Sequence, residues 1–258
     1  MMASRERFCR LSAKPYVILP SLLACDFAHL EDQIRAVEQA GCCALHLDIM
    51  DGHFVPNLSF GIPVVEAIRR STDLILDVHL MLSCPEEFYT PFRRAGADAL
   101  TFHIEAVADE LFPGHHFARN GLSVAQAAEI PSLTDTVFAH FDQIHALGAA
   151  AGISLNPPTE IETLAPFCAP DTPCDNVLVM GVMPGFGGQK FSVNALEKLA
   201  WLRQNAPAST LRSVDGGVNA QTISACQESG ANGLIMGTAI YDGIQPAANF
   251  RQFSPPPL

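Results

Sequence analysis

A small residue, then glycine, then an apolar run recurs at Ala40-Gly41, Ala95-Gly96, Ala151-Gly152 and Ser229-Gly230. Glycine commonly terminates a helix, and a short apolar run bounded this way reads as a buried strand. Apolar runs of this kind lie at Tyr16–Leu23, Cys43–Met50, Leu74–Met81, Ala99–Ile104, Ile153–Asn156, Asn176–Val182, Thr210–Asp215 and Asn232–Gly237. Helical spacing fills the intervals, as at Phe27, Leu30, Ile34 and Val37. Strands alternating with helices predict a parallel sheet with helical crossovers. Eight such units in 258 residues favour the α/β class and a single (β/α)8 TIM barrel. An open doubly wound sheet stays open as an alternative, because periodicity does not show closure.

The expected domain is one barrel over residues 15–250. Residues 1–14 carry Arg5, Arg7, Arg10 and Lys14 against Glu6 alone, without the apolar stretch of a secretory signal. They read as a disordered tail, and the proline-rich residues 251–258 as a second one. The step from His103 to Asn156 exceeds an average unit by about 20 residues. An insertion after strand 4, at about residues 109–136, accounts for it. Pro113-Gly114-His115-His116 and Asn120-Gly121 within it read as loop and turn, the histidines exposed.

The formal charge of −12 and pI near 5.0 argue against nucleic acid as a partner. No apolar run approaches the roughly 20 residues of a membrane span, so no membrane partner is expected. Eight cysteines with no C-x-x-C pair read as free thiols of a reducing, cytoplasmic setting.

Chemistry concentrates at strand ends. His46, Asp48 and Met50 are spaced two apart, which puts them on one face of a strand. Asp77, His79 and Met81 repeat the pattern, and Asp215 closes a third run. Ligand sites of parallel barrels and sheets lie at these C-terminal ends. His46, Asp48, His79 and Asp215 are therefore candidate ligands of one divalent metal ion, with Zn2+, Fe2+, Mn2+ and Co2+ equally suited to imidazole plus carboxylate. Asp48 and Asp215 are candidate catalytic acids, placed to remove a proton from one face of a carbon and return one to the other. A metal between them would polarise a carbonyl and hold an enediolate. Met50, Met81 and Met180 would form a polarizable cover. The glycines at 185, 187, 188, 216, 217 and 237 follow the last three strands, where such barrels hold phosphate.

These stretches resemble the ribulose-phosphate 3-epimerase family. The resemblance lies in PSLLA at Pro20–Ala24, HLDIMDGHFVPN at His46–Asn57, LDVHLM at Leu76–Met81, Asn156-Pro157, PGFGGQKF at Pro184–Phe191, VDGGV at Val214–Val218 and Gly237–Ile240. It implies an isomerase of carbohydrate metabolism, in the pentose phosphate pathway or the Calvin cycle. Such an enzyme interconverts D-ribulose 5-phosphate and D-xylulose 5-phosphate at C3. It implies a metal on His46, Asp48, His79 and Asp215, with Asp48 and Asp215 as the acid–base pair. It implies sugar-phosphate contacts from Ser21, His79, Met50, Met81 and Met180. Further substrate contacts would come from Phe186, Asp215 and Thr238, and phosphate contacts from the glycine loops at Gly185, Gly187, Gly188, Gly216, Gly217 and Gly237. A homo-oligomer is implied as well. The chain departs from the family at Gly181, where members usually carry Ser or Thr, and at Met183, where they carry a polar residue. Two other readings compete: an epimerase of a six-carbon ketose phosphate such as allulose 6-phosphate, and a non-catalytic sugar-phosphate binder.

Overall fold

The computed structural model describes residues 3–186, 188–243 and 245–255. Eight strands, β1 (Val17–Pro20), β2 (Ala44–Met50), β3 (Ile75–Met81), β4 (Ala99–His103), β5 (Ala150–Leu155), β6 (Asn176–Met180), β7 (Leu211–Asp215) and β8 (Gly233–Met236), pair in parallel. Their order is β1-β8-β7-β6-β5-β4-β3-β2. A parallel bridge between Ser21 and His46 joins the two ends. The expected TIM barrel is therefore the observed one.

Alternation along each strand divides the core. On β2 the side chains of Leu45, Leu47 and Ile49 face outward into the apolar layer beneath the helices. Ala44, His46, Asp48 and Met50 face the barrel interior, where Ala44 joins the apolar base and Met50 the mouth. Both faces are covered, so every residue of β2 and β3 is buried, as parallel sheets require. Outside lie α1 (Ser4–Cys9), α2 (Leu30–Gln39), α3 (Ile62–Ser71), α4 (Tyr89–Ala95), α5 (Ile104–Leu111), α6 (Phe117–Asn120), α7 (Val124–Glu129), α8 (Leu133–Ala146), α9 (Asn194–Asn205), α10 (Ile223–Ser229) and α11 (Pro246–Phe253). None among the described residues is long and apolar enough to cross a membrane. All eight cysteines are free.

Three expectations change. Residues 4–13 are not a disordered tail. They form α1 and a 3-10 turn, because Phe8 and Leu11 are buried in the base of the barrel against Val17, Ala44, Ile75 and Leu211. Asp175 fixes the same segment, accepting hydrogen bonds from Arg5 Nε at 3.0 Å and from the Ala151 N–H at 3.0 Å. At the other end, α11 runs on to Phe253, with Pro246 in its first turn and Phe250 buried. Residues 251–253, expected in a tail, are thus helical, and residues 256–258 lie outside the described residues. Finally, β5 starts at Ala150, ahead of the expected boundary. Gly152 is a strand residue and not a stop: a Cβ there would collide with Thr101 Oγ1 on the neighbouring strand. The helix stop is Gly148, at φ +76°.

The long connection between β4 and β5 contains α5 to α8. Phe117, Leu122, Ile130, Val137 and Phe141 are all buried, so the segment is part of the core. His115 and His116 are exposed, as expected of a loop pair.

Candidate active site

His46 and Asp48 come from β2, His79 from β3 and Asp215 from the end of β7. One ligand atom from each lies within 4.8 Å of the others. Around the ring β2 and β7 are separated by β1 and β8, so the two acids face the mouth from different sides. Asp48 is the hub. Its Oδ2 accepts a 2.6 Å hydrogen bond from Ser21 Oγ. Its Oδ1 lies 3.2 Å from His79 Nδ1 and 3.4 Å from His46 Nε2.

His46, Asp48 and His79 are buried, and the charges of the centre act on one another. Burial alone would raise the Asp48 carboxyl, but His46 and His79 outweigh it and hold the group well below the usual carboxylate range. Asp215 moves the opposite way, to about 7, through burial and the charge of Asp48. Burial also lowers His79, to about 3. Two neighbouring carboxyls whose proton affinities are pushed apart have the pattern general acid–base chemistry uses.

His46 gives the clearest test of whether a metal fits. Its Nδ1 lies 2.8 Å from Asp77 Oδ2. A carboxylate only accepts, so Nδ1 carries a proton, and in the neutral ring Nε2 keeps its lone pair. That Nε2 is buried without a hydrogen-bond partner. Buried polar atoms are seldom left so. A cation between Nε2, Asp48, His79 and Asp215 would satisfy it, and a carboxylate behind the imidazole is the usual support of a ligating histidine. The residues fit a divalent ion with nitrogen and oxygen ligands.

Above the centre lies a cavity of about 380 Å³. Ser21, Asp48 and Asp215 reach it from the barrel rim. Met50, Met81 and Met180 line it too, but as buried wall rather than cover. Gly185, Phe186 and Gly188 enter from the loop after β6, Gly216 and Gly217 from the loop after β7, Gly237 and Thr238 from the loop after β8. His46 and His79 do not line the cavity; they are wholly buried beneath it. Gly187 lies outside the described residues. The β6 loop is folded on itself by Gln189, whose Nε2 donates to the carbonyls of Met183 and Phe186. Gly181 has a packing reason: a Cβ there would strike the carbonyl of Gly216 and the ring of Phe191. A Ser or Thr at this position would need the β7 loop to move.

Sequence reasoning set Asp77 in the repeated pattern of β3 without giving it a role, and missed His103 and Glu105. The role of Asp77 was within reach, since it shares the inward face of β3 with His79 and Met81 by the same spacing of two. His103 ends β4 as His79 nears the end of β3, and Val182, Met183, Pro184, Val218 and Asn219 add to the cavity wall.

Fold and site together define a β/α-barrel protein with a candidate metal centre at the carboxyl ends of its strands. The Ribulose-phosphate 3 epimerase family model matches residues 17–112 and 115–241, and the chain belongs to that family. A ribulose-phosphate 3-epimerase, cytoplasmic isoform, of Oryza sativa subsp. japonica is 38% identical over 229 residues, covering 89% of each chain. The ribulose-phosphate 3-epimerase of Bacillus subtilis (strain 168) is 39% identical over 228 residues, 87% of this chain and 91% of the relative. Among solved structures, KGPDC from Streptococcus mutans in complex with D-R5P superposes with a TM-score of 0.64 at 14% identity, covering 93% of this chain and 96% of that one. This likeness supports the barrel fold. The family match passes through the β4–β5 connection except at residues 113–114. The comparison therefore does not confirm the insertion expected at 109–136; the connection is long because it holds four helices.

Proposed function

We propose that this protein interconverts D-ribulose 5-phosphate and D-xylulose 5-phosphate by moving a proton at C3. The observation that carries the reading is the pair Asp48 and Asp215. They come from separate strands, share one cavity, and have proton affinities shifted in opposite directions. With the sugar between them, Asp48 takes the C3 proton on one face and Asp215 returns a proton to the other. The reverse reaction exchanges their roles. Ser21 holds Asp48 in place through its short hydrogen bond. Met50, Met81 and Met180 keep water from the reacting carbon, and the loops after β6, β7 and β8 receive the phosphate.

His46, Asp48, His79 and Asp215 would hold a divalent metal, which supplies polarisation of the carbonyl next to C3 and stabilises the enediolate. The identity of the ion stays open among Zn2+, Fe2+, Mn2+ and Co2+, since borderline donors accept each. A homo-oligomer and a cytoplasmic location belong to the same proposal. Exposed Phe27 and Leu58 support the first, and eight free cysteines the second. Light scattering and cell fractionation test them.

Incubation of metal-loaded protein with D-ribulose 5-phosphate in deuterated water tests the reaction. The expected result is xylulose 5-phosphate with deuterium at C3. Metal-loaded protein that yields neither exchange nor product overturns the proposal.

A further inference from the structure

We infer that His103 and Glu105 are positioning residues for His79, acting as a two-step relay that fixes which of its nitrogens faces the metal centre. The inference rests on the metal reading given above. His79 Nε2 lies 2.8 Å from His103 Nε2, so it is unavailable as a ligand and Nδ1 is the nitrogen left. Nδ1 lies 3.2 Å from the Asp48 carboxylate, to which a protonated Nδ1 would donate; to ligate, it must instead carry a lone pair, and the ring proton then sits on Nε2. That buried N–H needs an acceptor, and His103 Nε2 supplies it. His103 can accept there only with its own proton on Nδ1, and Nδ1 lies 3.3 Å from Glu105 Oε2.

Glu105 is built to take that proton's hydrogen bond. It is fully buried in the first turn of α5. Its other oxygen, Oε1, accepts from the Asn156 N–H at 2.7 Å and from Thr159 Oγ1. Lys198 in turn donates to the carbonyl of Asn156 at 2.8 Å. The carboxylate is thereby held by the segment after β5, while α5 carries it beneath His103. His46 is served by one carboxylate directly, at Asp77. His79 is served by a carboxylate through a second imidazole. The two histidines consequently present opposite nitrogens, Nε2 from His46 and Nδ1 from His79, toward Asp48.

Zinc, as a diamagnetic probe, tests the relay by chelator competition and by 15N NMR of histidine-labelled protein. Outer partners of metal-bound histidines typically contribute about ten- to a hundredfold in affinity. His103→Leu should weaken zinc binding by that factor. His103→Gln should recover most of the loss, because its amide oxygen can accept from His79. Glu105→Gln should weaken binding in the same direction, since an amide N–H aimed at His103 reverses the relay. In zinc-loaded wild type, His79 should be protonated at Nε2 and His103 at Nδ1. Folded His103→Leu and Glu105→Gln proteins that bind zinc as tightly as wild type overturn the relay alone. So does the reverse protonation pattern in wild type, which decides the matter without any substitution if a variant fails to fold. A wild type that takes up no zinc overturns the metal reading and the relay with it.

Discussion

The base and the mouth of the barrel are made by the same strands. On β2 the inward residues are Ala44 below and Asp48 above; on β3, Ile75 and His79; on β7, Leu211 and Asp215. Spacing in steps of two gives both sets the same geometry, so composition alone divides them. The base is apolar and plugged by Phe8 from α1 and Leu11 from the 3-10 turn that follows it. The mouth is polar, with carboxyls whose proton affinities are displaced and a buried imidazole nitrogen left without a partner. One end spends its inward positions on packing and the other on reactivity. Substitutions at the mouth should therefore affect turnover and leave stability, and substitutions at the base should do the reverse.

Asp215→Asn is the strongest way to break this division. Losing one member of a general acid–base pair lowers turnover by about 10²–10⁴. The melting temperature should hold, because an amide of the same shape replaces a carboxyl that burial already disfavours in its charged form. Steady-state kinetics and calorimetry on one sample check both. An active Asp215→Asn protein removes the acid–base assignment.

Phe8→Ala is the counterpart at the base. Truncating a buried Phe costs about 3–5 kcal/mol, which for a chain of this size lowers the melting temperature by about 10 °C. The folded remainder should turn over at the wild-type rate at low temperature, since the base cluster is separate from the four ligand residues. A large loss of kcat with little loss of stability would show that the two ends are coupled.

The same division explains what the sequence made legible. Strand positions, His46, Asp48, His79 and Asp215 follow from apolar runs and a period of two, both local signals. The plug does not: Phe8 and Leu11 are two apolar residues in a basic stretch, and only a barrel with an open base gives them a place to go. Gly152 misled for a related reason. It looks like the stops at Gly41, Gly96 and Gly230, yet its lack of a side chain serves the approach of Thr101 across the sheet. Asp77 stands in the period-two pattern but acts through His46, and Glu105 acts through His103, so neither role shows until the rings are oriented. The expected insertion came from comparing unit lengths alone, and the family match across this connection does not confirm it.

Asp175 offers a smaller test at the base, with a pH signature. Burial alone would raise its carboxyl, but hydrogen bonds from His145, Arg5 and the Ala151 N–H hold it below the ordinary value. A carboxyl lowered in the folded state binds fewer protons there than in the unfolded chain. Its contribution is fully present above the unfolded value, near pH 4, and is lost as pH falls through the lowered folded value. Asp175→Asn should cost about 1–3 kcal/mol at neutral pH, the penalty of buried donors left poorly matched. It should also flatten part of the acid limb of a stability profile below about pH 4. A variant with an unchanged acid limb would mean that Arg5 and His145 do not hold this carboxylate in solution.

Met180 stands where the two ends meet, and it gives the finest test. Its side chain packs with the base cluster and also lines the cavity above. Met180→Leu nearly conserves volume, so the stability change should stay within about 1.5 kcal/mol. Leucine is stiffer and lacks the polarizable sulfur, and the surface it offers the substrate is accordingly different. A modest fall in kcat with a small change in melting temperature is expected, both readouts moving together as they should for a residue shared by the two regions. A change in stability alone would assign Met180 to the base, and a change in turnover alone to the mouth. Either result would place the boundary to one side of this side chain, at a resolution that neither Phe8 nor Asp215 can reach because each lies wholly within its own region.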